Sequence, residues 1–344
     1  MFSIIIFIFG EKMRFRKSVI LATTMLSSSM TLAYADVKVV TSIKPVHSLV
    51  SAVMEGVAKP SLLVDGAASP HTYSLKPSQA EQLQNADIVF WMSHDLEAFL
   101  ENSIENIAQK AVSVPLIESH DLTLLNFREG GAFDAHGHDD DHDDKHDDKH
   151  DDDKHDDDKH DDHDDKHDDR DEMDPHVWLD PQNAKALVHE IEEQLAKIDP
   201  NNAEIYKTNV SIIMKKLDKL TNEIDANLEP IRGRGYVVFH DAYQYFEKRF
   251  GISAIGSITV SPEVMPGAER VRELRKKIKE LDATCVFSEP QFEPKLVATV
   301  TENTNAGNGI LDPLGTSLEN GPTLYFELIR NMAKSFKDCL MKVS

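Results

Sequence analysis

Seven apolar residues, Tyr206, Val210, Ile213, Leu217, Leu220, Ile224 and Leu228, follow one another at spacings of 4, 3, 4, 3, 4 and 4 in the middle of the chain. Only an α-helix gathers such a series onto one face. The periodicity begins after Asp199-Pro200 and predicts a helix of roughly 26 residues, about 40 Å long at about 1.5 Å per residue. On either side of it the pattern changes. Short β-branched or apolar runs lie before it at Val37 to Thr41, Ser61 to Val64 and Ile88 to Met92, and after it at Gly235 to Phe239, Ala283 to Phe287 and Ile310 to Leu311. They alternate with helix-like stretches such as Val46 to Met54, Ser78 to Asn85 and Ala268 to Leu281, as parallel strands with crossover helices do. The expected fold is α/β: two (β/α) domains with parallel-rich sheets, residues 36–198 and 230–344, joined by one long rigid helix over 199–229. A surface helix of one larger domain is the alternative.

The charge is distributed unevenly. The 344 residues carry 37 basic and 60 acidic side chains, a net of -23, and residues 134–174 hold 23 of the acidic and six of the basic ones. Outside that stretch the chain is only mildly acidic, and no basic stripe with interleaved aromatics occurs, which argues against a nucleic-acid partner. Residues 134–172 read as a disordered loop, because almost nothing apolar is there to offset the entropy of ordering it. Nine histidines punctuate its aspartates: His136, His138, His142, His146, His150, His155, His160, His163 and His167. A solvated acidic loop would not need them, whereas a His-rich tract supplies many weak, exchangeable sites for borderline metals.

At the other end, Met13-Arg14-Phe15-Arg16-Lys17, the apolar stretch from Val19 to Leu32 and Ala33-Tyr34-Ala35 have the form of a secretory signal with cleavage after Ala35. Residues 1–35 are thus expected to be a leader, with Met13 as the true start. A membrane anchor is disfavoured, since neither apolar run reaches the length of about 20 residues that spans a bilayer. Export would place Cys285 and Cys339, the two cysteines of the chain, in an oxidising compartment, where a pair becomes a structural disulfide more often than free or metal-binding thiols.

Seven histidines remain outside the acidic loop. His71 stands in a Pro-bounded loop after a strand-like run, His176 in Asp174-Pro175-His176-Val177-Trp178-Leu179-Asp180-Pro181, and His240 directly after the run Tyr236 to Phe239. Asp312 follows Ile310-Leu311 in the same manner. In open α/β sheets ligands bind beyond the carboxyl ends of strands, so the four residues can converge on one interdomain cleft. Three imidazoles with at most one oxygen suit Zn²⁺. Three His ligands with an open fourth position also describe a catalytic zinc site, but no His-Glu-x-x-His motif is present. His47, His94, His120 and His189 lack that setting and read as structural or surface residues.

The chain resembles the periplasmic substrate-binding proteins of zinc and manganese ABC transporters and, within them, the ZnuA-type zinc receptors. The resemblance runs through residues 36–344. It is carried by Thr41-Ser42-Ile43-Lys44-Pro45, Pro70-His71-Thr72-Tyr73-Ser74-Leu75-Lys76-Pro77-Ser78, the Asp174 to Pro181 motif, Phe239-His240-Asp241-Ala242-Tyr243, Cys285-Val286-Phe287-Ser288-Glu289-Pro290-Gln291-Phe292 and Leu311-Asp312-Pro313-Leu314-Gly315. It implies metal bound between two domains by His71, His176 and His240, a Cys285–Cys339 disulfide, and a monomeric, non-enzymatic periplasmic receptor that delivers Zn²⁺ to an inner-membrane permease and its ATPase. Manganese members generally carry Glu where this chain has His240, and some zinc members carry a ligating Glu where it has Pro70. The resemblance therefore favours zinc and leaves the fourth ligand open among Asp312, a water and a residue of the acidic loop. A manganese receptor and a zinc-storing or adhesive surface protein are the alternative functions.

Overall fold

The structure, a computed structural model, describes residues 37–128, 133, 173–259, 267–280, 283–292 and 295–342. Residues 1–35, expected as a leader, and the insertion 134–172 with its nine histidines lie outside the described residues. The residues on both sides of the insertion belong to one compact unit, Asp36–Ser344.

The first sheet holds β1 (Val39–Ile43), β2 (Ser61–Val64), β3 (Ile88–Trp91) and β4 (Val112–Pro115), in the order β2-β1-β3-β4. The second holds β5 (Tyr236–His240), β6 (Gly256–Thr259), β7 (Cys285–Ser288) and β8 (Gly307–Ile310), in the order β6-β5-β7-β8. Every pairing is parallel. The central strands β1 and β5 are buried along their whole length, as parallel strands covered on both faces must be.

Three features depart from the sequence reading. Neither β4 nor β6 was expected; β4 is an edge strand with two exposed residues and a terminal proline, so it forms no apolar run. The last strand ends, rather than starts, at Ile310, because β8 is built on glycine. A Cβ at Gly309 would come within 2.3 Å of the Phe287 ring on the neighbouring strand, so the packing itself requires the residue that hides the strand from a hydrophobicity reading.

Crossover helices α1 (Lys44–Val53), α2 (Pro77–Gln84) and α3 (Ala98–Ile107) serve the first sheet, and α6 (Gln244–Phe250), α7 (Ala268–Glu280) and α8 (Lys295–Thr301) serve the second. Between them come α4 (Pro181–Ile198) and α5 (Ala203–Leu228). Asp180 caps α4 by accepting from Gln182 N at 2.8 Å, with Pro181 in the first turn. The 26 residues of α5 bury the seven apolar positions that the periodicity picks out, all at 8 % exposure or less. This helix is not a bare strut. It packs on α4, on α1 and on the last helix, α9 (Leu324–Lys342), so one apolar core runs from Val39 in the first strand to Leu340 near the C-terminus. A second, smaller core of residues such as Val237, Phe239, Ile258, Leu274 and Val286 fills the other face of the second sheet. Cys285 in β7 and Cys339 in α9 are joined by a disulfide with a sulfur–sulfur distance of 2.06 Å.

Candidate metal centre

Each of the three histidines is held by a different local device. His71 lies in a 3-10 turn, Pro70–Thr72, beyond the end of β2. That loop is tied back to the strand by α2: Gln79 Nε2 donates to Leu63 O at 2.5 Å, while Gln79 Oε1 accepts from Lys76 N at 2.9 Å. His176 precedes the 3-10 turn Val177–Leu179 that leads into α4. Its backbone N–H and its ring Nδ1 both meet Asp174 Oδ1, at 2.9 and 2.6 Å, a turn that an Asp two residues upstream forms locally. His240 is the last residue of β5, and its Nδ1 lies 2.7 Å from Oε1 of Glu289, which follows the adjacent strand β7.

The three rings form a nearly equilateral triangle, with centroids 5.6 Å apart for His71 and His176, 5.8 Å for His71 and His240, and 5.3 Å for His176 and His240. One nitrogen of each lies within 4.8 Å of the others. With both Nδ1 atoms engaged by carboxylates, the Nε2 atoms of His176 and His240 face each other at 3.4 Å. Two nitrogens bound at about 2.0 to 2.1 Å with a tetrahedral angle stand about 3.3 Å apart, so the donor set fits an ion such as Zn²⁺. A carboxylate on Nδ1 fixes the tautomer that presents Nε2 as the donor, and it raises the ligand's basicity. Apolar and aromatic walls enclose the triad: Leu96, Trp178, Phe292 and Leu314 line the same pocket. Trp178 is locked there by donating Nε1–H to Pro313 O at 2.9 Å.

Electrostatics divides the triad. Burial, reinforced by the neighbouring His176 and His240, holds His71 well below the ordinary imidazole value; burial and His240 do the same to His176. Burial also works against a charge on His240, but the Glu289 carboxylate, with Asp241 and Asp174, outweighs it and raises that imidazole. Burial pushes Asp174 up to about 7. The cleft thus offers two neutral imidazoles and one that holds a proton more firmly.

Asp312 is not in this group of mutually close ligand atoms. Its Oδ1 accepts from Leu314 N, Gly315 N, Thr316 Oγ1 and Gln291 Nε2 at 3.0 to 3.2 Å, and its Oδ2 from Thr316 N at 2.6 Å, so the carboxylate organises the turn that forms the cleft wall. The remaining described histidines are elsewhere: His47 Nε2 meets Pro60 O at 3.3 Å, His94 pairs with Glu101 at 2.6 Å, His189 with Glu192 at 3.5 Å, and His120 is exposed. The orienting carboxylates were not singled out by the sequence reading. Asp174 carried a local signal, its place two residues before a histidine; Glu289 carried none, being 49 residues from its partner.

Residues 39–339 match the family described as the periplasmic zinc-uptake complex component A, ZnuA. A high-affinity zinc uptake system protein of Brucella suis biovar 1 (strain 1330) is 56% identical over 306 residues, 88% of this chain and 92% of that protein. The protein of the same name in Yersinia pestis is 33% identical over 324 residues, 93% of this chain and 98% of its own length. Among solved structures, a ZnuA crystal structure superposes with a TM-score of 0.69 at 21% identity, covering 89% of this chain and 99% of its own, a likeness of fold. The convergent imidazoles, the paired parallel sheets and the extent of these matches lead to one statement of kinship: the chain belongs to the ZnuA family of periplasmic zinc-uptake components.

Proposed function

We propose that this chain is the zinc receptor of an uptake system in the periplasm. His71, His176 and His240 take up Zn²⁺ between a lobe of residues 36–198 and a lobe of residues 230–344 that share the connector 199–229, and the loaded monomer delivers the ion to an inner-membrane ABC permease and its ATPase. Zinc is cargo, and the protein acts by binding and release, without catalysis. The observation that carries this reading is the 3.4 Å separation of two Nε2 donors whose Nδ1 atoms are each engaged by a carboxylate. An all-nitrogen triad favours Zn²⁺ over the harder Mn²⁺. With both oxygens of Asp312 occupied by hydrogen bonds, a water completes the fourth position. The nine insertion histidines supply additional weak sites, and the relatives' shared name as high-affinity zinc uptake proteins agrees with this assignment.

The test is a zinc titration against a competing chelator, on the mature chain and on a form lacking residues 134–172, with manganese as the comparison metal. One tight, zinc-preferring site per chain in both forms is the expected result. A manganese preference, or loss of the tight site with the insertion, would overturn the assignment.

A further inference from the structure

The two segments that frame the His/Asp-rich insertion precede the long helix α5, yet they pack on α6, which follows it. Asn126 and Met173 pair as an antiparallel bridge, and Asp174 N donates to Leu125 O at 2.8 Å, so the two sides form one stem. The stem rests on α6: Leu125 N donates to the Tyr245 hydroxyl at 3.0 Å, that hydroxyl donates to Asp174 O at 2.7 Å, and Gln244 Nε2 donates to Asn126 O at 3.0 Å. On one side of it, Arg128 reaches into the second lobe. Its Nε donates to both oxygens of Asp241 at 2.9 and 3.0 Å, its Nη2 also meets Asp241, and its Nη1 donates to Glu247 Oε2 at 2.5 Å. Both carboxylates are buried, at 5 % and 4 % side-chain exposure, and the other Glu247 oxygen accepts from the Tyr236 hydroxyl at 3.1 Å. The Phe133 ring stacks 4.2 Å from the guanidinium carbon.

This arrangement has a bearing on the metal triad. Asp241 directly follows His240, and Asp174, on the other side of the same stem, holds Nδ1 of His176. One guanidinium therefore ties the strand that carries one imidazole to the stem that orients another. We propose that Arg128 is a positioning residue for the metal cleft, which fixes the separation of His176 and His240 and makes the root of the insertion a working part of the site. Lysine cannot replace it, because a point charge lacks the planar fork that engages two carboxylates at once. The inference rests on the reading of the cleft as the zinc site.

The experiment uses the mature chain with Arg128→Lys, and a second variant, Arg128→Gln with Asp241→Asn and Glu247→Gln, in which no buried charge is left without its partner. Three quantities are read: the visible absorption of bound Co²⁺, the rate of zinc release into excess chelator, and the thermal midpoint of the metal-free protein. Both variants are expected to keep a cooperative thermal transition, change the Co²⁺ spectrum and release zinc about tenfold faster, the lower end of what loss of an outer-shell partner costs a metal site. An unchanged spectrum and release rate in either variant that folds would overturn the role of Arg128. So would faster release that only follows a lowered thermal midpoint while the spectrum stays the same. His240→Ala separates the two levels: a Co²⁺ spectrum that survives it refutes the cleft assignment itself, whereas its loss beside unaffected Arg128 variants refutes only the present inference.

Discussion

The two sheets share one strand order and an all-parallel register, yet they present their histidines in different ways. The first lobe offers His71 and His176 from loops, each oriented by a neighbour close in sequence: Gln79 holds the His71 loop to β2, and Asp174 holds His176. The second lobe offers His240 from the strand itself. Because β5 and β7 pair directly, with Tyr236 opposite Cys285, their carboxyl ends bring His240 and Glu289 side by side. The chemical result differs in sign, since burial depresses the first two imidazoles while Glu289 and its acidic neighbours lift the third against burial. One sheet topology, used twice, thus yields a loop-borne neutral pair and a strand-borne, more basic partner.

Removing the strand-borne imidazole is expected to have the largest effect. His240→Ala should weaken zinc binding by more than the roughly 10–100-fold that loss of an orienting partner costs, measured by chelator competition. His71→Ala should do the same, and a retained tight site in either variant would dissolve the comparison. Second comes the disulfide, which among the described residues has no counterpart in the first lobe. It closes a loop of 54 residues, and its removal by Cys285→Ser should destabilise the fold by about 4 kcal/mol in the chain-entropy view. Urea titration reads that loss, and an unchanged midpoint would mean that β7 and α9 are held by packing alone. Third, Glu289→Gln and Asp174→Asn should each weaken zinc binding about tenfold or more.

The pH dependence sharpens the same contrast. Metal binding needs neutral imidazoles. His71 and His176 stay neutral well below the ordinary value, so proton competition near pH 6 falls to His240, which is raised, and to Asp174, which burial pushes up to about 7. Affinity should fall with decreasing pH at a slope of at most about two protons per zinc. A slope of three across that range would mean that the loop-borne pair is not held neutral.

The smallest effect lies within the first lobe. Glu97 is fully buried, with Oε2 accepting from Met92 N and Ser93 N at 3.0 and 3.1 Å, and burial raises it from 4.5 to about 7. The folded state therefore holds this proton more tightly than the unfolded chain does. The corresponding stability is present below the unfolded value near 4.5 and is lost as pH rises to about 7. Glu97→Gln keeps an acceptor for both N–H groups and should flatten thermal stability between pH 5 and 7; curves that run parallel for the two proteins would remove Glu97 as the cause.

Much of this was legible in the chain itself. The 26-residue α5 and its seven buried positions follow from spacing, because a helix turns a linear series into a face. The three histidines stand out because each follows a strand-like run or sits beside a proline, settings that sequence neighbours alone create. The cysteine pair was legible as well, there being two cysteines to join. Strands β4, β6 and β8 were missed or misplaced, since their short, glycine-rich or edge sequences take their place from pairing with neighbours and from contacts such as that of Gly309 with Phe287.

Tertiary structure alone decided the rest. Glu289 finds His240 from 49 residues away, and Arg128 finds Asp241 from 113. Asp312, expected as a possible fourth ligand, accepts hydrogen bonds from the turn Leu314 to Thr316 and from Gln291. The physical reason is common to all three. Local sequence fixes backbone periodicity and turn chemistry, which act over a few residues, whereas the partner of a charged side chain is chosen by which strand ends and stems the packed core brings within about 3 Å of it.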